Sequence, residues 1–145
     1  MIIISTSRYS NPELKTGKYE CFGISAGNPR FSLGYSVQKY IRELAPGNDL
    51  RKIDDYDLFR QLYREQLNQL DVAGILGDAL CAVQDEARVV LLCFEDIRKK
   101  GVWCHRTIFA EWYEENFDDQ IFELHDPSEV KYTAAEKKVL GKQLF

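Results

Sequence analysis

No stretch of this 145-residue chain approaches the roughly 20 consecutive apolar residues that a membrane-spanning helix requires. The opening Met1-Ile2-Ile3-Ile4 has no basic region before it, too short an apolar run, and no small-residue cleavage site after it. A secretory leader is therefore not expected, and the expected compartment is the cytoplasm. An excess of positive charge is also lacking. With 19 Lys and Arg against 23 Asp and Glu, the net charge of −4 repels a phosphate backbone, and non-specific nucleic-acid binding is not expected. Cysteine is sparse: Cys21, Cys81, Cys93 and Cys104 are too few for a disulfide framework and form no C-x-x-C pair, so they read as free thiols. The one close Cys/His grouping, Cys104-His105, places its two side chains on adjacent residues, which rarely face a single metal, and no metal site is assigned. Internal repeats and low-complexity tracts are absent.

What is present, 45% hydrophobic and 29% charged residues, fits one domain over 1–145 with a genuine core. Ile2 to Ser7 is a β-branched run that turns abruptly to small hydroxyl residues, as a buried strand does on emerging at its carboxyl end. From Arg8 to about Arg30 the chain is rich in Ser, Asn, Pro and Gly and reads as a long loop, with one extended candidate at Tyr19 to Ser25. Residues 35–44 are ambiguous between helix and strand and end at the break Ala45-Pro46-Gly47-Asn48. An amphipathic helix follows over 55–70, with Phe59, Leu62, Tyr63, Leu67 and Leu70 on one face and Arg60, Arg64 and Glu65 on the other. Asp71 sits where an N-cap belongs, ahead of a second helix whose apolar positions run from Val72 to Val83.

Arg88 to Phe94 is apolar without alternation, the pattern of a central strand covered on both faces in a parallel sheet. A polar loop, Glu95 to Val102, leads to a helix over 104–116 with Ile108, Phe109, Trp112 and Tyr113 as its stripe. Ile121 to Leu124 is a short strand candidate. Thr133 and Glu136 have the spacing of a capping box for a tail helix reaching Leu144. The expected fold is a single three-layer α/β domain, its mostly parallel sheet flanked by helices.

The chemistry-bearing residues gather around one βα unit. Cys93 and Glu95 lie at a strand's carboxyl end, and Cys104, His105 and Arg106 open the following helix; ligands of open α/β sheets bind at that edge. A helix N-terminus favours anions and lowers the pKa of a thiol placed there, which makes Cys104 the thiol expected to be activated. His105 is a proton donor or acceptor suited to neutral pH, Glu95 a second one or its orienter, and Arg106 a fork for phosphate or carboxylate. In a parallel arrangement Ser5, Ser7 and Arg8 would reach the same edge, giving Arg8 and Arg106 one anion pocket over which Ser25 to Arg30 would fold. Tyr9, Tyr35, Tyr63 and Trp103 are candidate stacking surfaces, while Cys21 and Cys81 read as structural.

The pairing of Cys93-Phe94-Glu95 with Cys104-His105-Arg106 resembles the family known as domain of unknown function 488, whose late strand ends in Cys-x-Glu and is followed by Cys-His-Arg at a helix start. The likeness extends to Tyr63-Arg64-Glu65, to the Leu70-Asp71 junction and to an arginine after the first strand, and so runs from Ile2 to about Glu115. Many members carry Asp-x-Arg where this chain has Thr6-Ser7-Arg8. The resemblance implies an α/β fold and a shared site of Arg8, Cys93, Glu95, Cys104, His105 and Arg106. It specifies neither substrate nor cofactor.

Three readings follow. In the first, the protein is an enzyme acting on a phosphorylated or nucleotide-like small molecule, with Cys104 as nucleophile, His105 and Glu95 moving protons, and Arg8 and Arg106 binding charge. In the second, the same pocket binds a small anionic molecule without chemistry. In the third, Cys93, Cys104 and His105 form a metal or redox site.

Overall fold

The run Arg88–Cys93 lacks polar alternation because both of its faces are covered, Val89 to Leu92 having no exposed surface. In the computed structural model, which describes residues 1–138, the strands are β1 (Ile3–Arg8), β2 (Glu20–Gly23), β3 (Val37–Tyr40), β4 (Arg88–Cys93) and β5 (Phe122–Glu123). The helices are α1 (Tyr56–Asn68), α2 (Val72–Leu80) and α3 (His105–Phe117). The five strands form one sheet in the order β3-β2-β4-β1-β5, and every pairing is parallel. Arg8 lies opposite Cys93 and Gly23 opposite Leu92, so β1, β2 and β4 end together at one edge.

Alternation along β4 divides the core in two. Val89 and Leu91, with Phe22, pack under the three α-helices through Phe59, Tyr63 and Leu67, Val72 and Leu76, and Ile108, Phe109 and Trp112. Val90 and Leu92, with Cys21, pack on the opposite face against Tyr9 and Leu14. That second cover is built by the 3-10 turn Pro12–Thr16 and by Leu33 and Tyr35, giving a three-layer α/β arrangement with one thin layer. Among the described residues, no helix is long and apolar enough to cross a membrane.

Capping residues fix the helix starts where the sequence placed them. The Asp55 carboxylate accepts from Leu58 N and the Asp71 carboxylate from Gly74 N, both at 3.1 Å. The segment expected to be a long loop is more ordered than that: Asn11 caps the 3-10 turn, Gly17 ends it at φ 79°, and β2 forms within the extended candidate. The ambiguous residues 35–44 become β3 followed by the 3-10 turn Arg42–Leu44. β3 is an edge strand with Gln38 and Lys39 exposed, which is why it lacks a clear apolar signal. The second helix stops at Leu80, short of Val83, which packs against the core from the turn beyond it. The capping box is formed, Glu136 N donating to Thr133 Oγ1 at 3.1 Å and Thr133 N to Glu136 Oε1 at 3.0 Å. The tail helix is present over 134–138; its expected continuation to Leu144 lies outside the described residues.

Gly23 ends β2 where no side chain fits. A Cβ there would sit 2.5 Å from the Tyr9 hydroxyl and overlap the Tyr40 ring, and the Tyr9 hydroxyl is tied to Ser25. Gly23→Ala is expected to destabilise the protein by about 1–3 kcal/mol, read as a lowered urea midpoint at unchanged slope.

Candidate functional site

The chain leaves the sheet at Cys93 and returns to it through Cys104, the N-cap of α3. Cys104 is extended (φ −142°, ψ 148°) and His105 is the first helical residue, so the backbone changes direction between two adjacent side chains. That change makes them converge: His105 Nδ1 lies 3.8 Å from Cys104 Sγ and 3.5 Å from Cys93 Sγ. The three donor atoms all lie within 4.8 Å of one another, and all three residues are buried. The expectation that Cys104 and His105, as neighbours in sequence, would not face one point is thereby corrected; it holds within a regular element and fails at a strand-like to helical junction.

The far side of the imidazole fixes its orientation. His105 Nε2 lies 2.7 Å from the Ile24 carbonyl oxygen, which can only accept, so Nε2 carries a hydrogen and Nδ1 is the ring atom turned toward the sulfurs. Tyr63 meets the ring edge-on, its centroid 5.5 Å away, and its hydroxyl donates to the Leu44 carbonyl at 2.6 Å. Ile24 is held in turn by the residues after it. The Ser25 hydroxyl donates to the Gly27 carbonyl at 2.7 Å, which leaves the Tyr9 hydroxyl to donate to Ser25 at 2.6 Å. Arg42 Nη1 donates to the carbonyls of Ser25 and Ala26 at 2.8 and 3.0 Å, and Nη2 to the Asn28 side chain.

The two thiols are driven apart electrostatically. Burial opposes ionisation of Cys104, but hydrogen bonds from Cys93 and His105 and the charge of Arg106 prevail and hold its thiol well below the usual range. Cys93 is pushed up, first by its hydrogen bond to Cys104 and then by burial. Glu95, whose Oε2 lies 3.5 Å from Cys93 Sγ, is raised by burial and by the neighbouring Cys104. Cys21 is a core thiol that burial raises to about 12, and Cys81 is exposed at the end of α2.

The cluster and Glu95 line a cavity of about 470 Å³. Ser25, Ala26 and Gly27 form one wall, Phe59 and Trp103 another with ring centroids 4.8 Å apart, and the exposed Arg51 and Asp54 complete the lining. Of the four aromatics singled out for stacking, Trp103 alone lines this cavity. Tyr9, Tyr35 and Tyr63 are committed to hydrogen bonds with Ser25, the Tyr9 carbonyl and the Leu44 carbonyl.

The arginines lie elsewhere. Arg106 is fully buried and binds Glu123 through both carboxylate oxygens, at 3.0 and 2.8 Å, with its Nη1 unpartnered. Arg8 donates to Asp126 at 2.6 Å and to the Ser128 hydroxyl at 2.8 Å. The two do share a cleft, of about 280 Å³, but three carboxylates (Asp96, Glu123 and Asp126) line it with them, and it has no lining residue in common with the thiol cavity. Ser5 and Ser7 pair with Val90 and Leu92 and so face the other side of the sheet from Cys93; Ser7 accepts from Asn11 there. Arg30 is exposed and outside the cavity lining. Sequence reasoning missed Arg51, Asp54, Glu123 and Asp126, which carry no local pattern and reach their places through loop packing.

A family model described as "DUF488-N3a: Active DUF488-N3 subclade" matches residues 4–117. No curated protein and no solved structure gives a significant match.

Two predictions follow from the charges. Asp96 is held at about 2, against an ordinary 3.8, chiefly by its hydrogen bond to Arg98. Burial opposes ionisation of Asp126, but its bonds to Arg8 and Ser128 lower it as well. Both pKa values are depressed on folding, so their contribution is complete above about pH 4 and is lost as pH falls toward 2. Asp96→Asn should flatten the decline in urea midpoint across that window; an unaltered decline would show that other groups drive it. Glu123→Ala strands the buried Arg106 charge and is expected to cost about 3 kcal/mol, whereas Arg60→Ala, which breaks an exposed pair with Glu111, should leave the urea midpoint nearly unchanged.

Proposed function

The chain belongs to the active DUF488-N3 subclade of the DUF488 family, and we propose that it is an enzyme acting on a phosphorylated or nucleotide-like small molecule in the cavity beside Cys93, Cys104 and His105. The observation that carries this reading is the convergence of three buried groups with available lone pairs on one side of a cavity that also holds a carboxyl group, an aromatic wall and a cation. A buried thiol alone is an ordinary core residue, but two thiols and an imidazole meeting within 4.8 Å at a cavity wall is the kind of clustering that marks functional sites. The word "active" in the family description supports chemistry over simple binding.

The cavity residues divide the work by position. Arg51 takes the anionic group, being the cation among the residues that line the cavity. Trp103 and Phe94 offer faces for a planar ring, and Asp54 an acceptor for hydroxyl groups. Cys104 and His105 form the reactive centre, with Glu95 placed to pass a proton to or from a molecule bound against it. Arg106 and Arg8, already paired with Glu123 and Asp126, position the start of α3 and the end of β1 rather than receiving the ligand's charge. Arg106 acts on the centre through its field alone.

A thermal-shift screen against inorganic phosphate, sugar phosphates and nucleotides tests the reading. A ligand at about 100 times its dissociation constant is expected to stabilise the fold by about 2.7 kcal/mol, and Arg51→Ala to abolish the effect. Cys104→Ser is expected to keep binding while losing product formation. Binding by the wild type with the ligand recovered unchanged would establish a binding module instead, and the absence of any shift would remove the anionic ligand class.

A further inference from the structure

We infer that Cys93 Sγ, Cys104 Sγ and His105 Nδ1 form a three-ligand site for a borderline-soft divalent metal, zinc by its donor set, with the fourth coordination position facing the cavity. This rests on the reading of the cavity as the reactive site and supplies that site with its chemistry: Cys104 serves as a ligand rather than as the attacking nucleophile.

The two sulfur-to-nitrogen separations are close to those a tetrahedral centre imposes. Zinc bonds of about 2.3 Å to sulfur and about 2.05 Å to nitrogen give S···N edges of about 3.6 Å and an S···S edge of about 3.8 Å. The observed S···N distances are 3.5 and 3.8 Å, and no pair of donor atoms exceeds 4.8 Å.

The second observation is independent of those distances. A metal-bound histidine donates its other ring N–H to a carboxylate or a backbone carbonyl, which fixes its tautomer and orientation. His105 does this: Nε2 donates to Ile24 O at 2.7 Å, and the carbonyl is presented by a loop that Arg42 and the Tyr9–Ser25 bond lock in place. Charge agrees as well. Two thiolates and one imidazole around a dication make a neutral unit, the state in which three ionisable groups can be buried together. Metal binding releases to solvent whatever protons the two sulfurs and Nδ1 still carry, so the balance closes without an oxidant or reductant.

Three protein ligands with an open position are the arrangement of a catalytic site rather than a structural one, which closes its fourth position with another side chain. Here the remaining direction leads into the cavity, where Glu95 lies next to Cys93 and where a water or a substrate oxygen would complete the tetrahedron.

The test uses the full chain purified without chelator. Elemental analysis is expected to find about one equivalent of zinc, and the apo protein titrated with Co²⁺ should develop a thiolate-to-cobalt charge-transfer band with the visible bands of tetrahedral geometry. Cys93→Ser, Cys104→Ser and His105→Ala should each weaken Co²⁺ binding by at least about a hundredfold, beyond the usual effect of losing an outer partner, while Cys21→Ser and Cys81→Ser leave it unchanged. Should the ligand variants fail to fold, mass-spectrometric footprinting of the wild type decides. Added Zn²⁺ is expected to shield Cys93 and Cys104, but not the exposed Cys81, from iodoacetamide. Folded wild type holding under about a tenth of an equivalent, a cobalt spectrum without the charge-transfer band, or binding that disappears with Cys81→Ser would each overturn the site. The two readings fail separately. Phosphate-ligand binding that depends on Arg51 in a metal-free protein would return Cys104 to the role of nucleophile, whereas tight metal with no ligand response would leave the metal site standing and remove the enzyme reading.

Discussion

A strand with no exposed side sets the terms for this protein. From Val89 to Leu92 every side chain of β4 is enclosed, with hydrogen bonds to neighbours on both edges, and polar chemistry has no place along its length. Functional groups can appear only where β4 ends, and Cys93 is the residue that ends it. Because β1 and β2 run parallel to β4 and stop at the same level, their following loops arrive at the same edge. The loop after β2 brings the Ile24 carbonyl to His105, and the segment after β1 brings Tyr9 to Ser25. The site is thus a product of sheet register before it is a product of any motif.

Much of this was legible in the residues. The unbroken apolar run announced a central strand, the apolar stripe over 55–70 and the Asp71 cap announced two helices, and Cys-x-Glu with Cys-His-Arg lie at the edge where β1, β2 and β4 end. What was not legible came from parity and from loops. A one-residue step along β1 reverses the face a side chain occupies, and that step puts Ser5 and Ser7 behind the sheet while Arg8 remains on the helical side. Arg106 reads as an exposed fork in the sequence, yet the short strand β5 delivers Glu123 to it, and nothing local foretells that meeting. Arg51 and Asp54 follow the Pro46-Gly47 break in a stretch without periodicity, where only three-dimensional packing decides which side chains reach the cavity.

Two electrostatic regions therefore sit side by side at one edge of the sheet. The first is a closed set of ion pairs in which Arg8, Arg98 and Arg106 are matched by Asp96, Asp126 and Glu123. Apart from Arg106 Nη1 its charges are paired internally, and it fastens the 126–128 segment to β1 and to the loop after β4. The second, around Cys93, Cys104 and His105, converges at the wall of the cavity. A region that balances its own charges is suited to holding shape, and one whose polar atoms converge at a cavity is suited to accepting something.

The strand-like to helical turn between Cys104 and His105 also limits how this chain can vary in length. One residue inserted between them would carry the imidazole about 100° around the axis of α3 and away from Ile24. The loop from Asp96 to Val102 is held at Asp96, Arg98 and Lys99 by their ion pairs, whereas Lys100 and Gly101 are exposed, and length added there would project into solvent. Added length at that exposed tip leaves the cluster in place, while an insertion or deletion at the Cys-His step takes it apart.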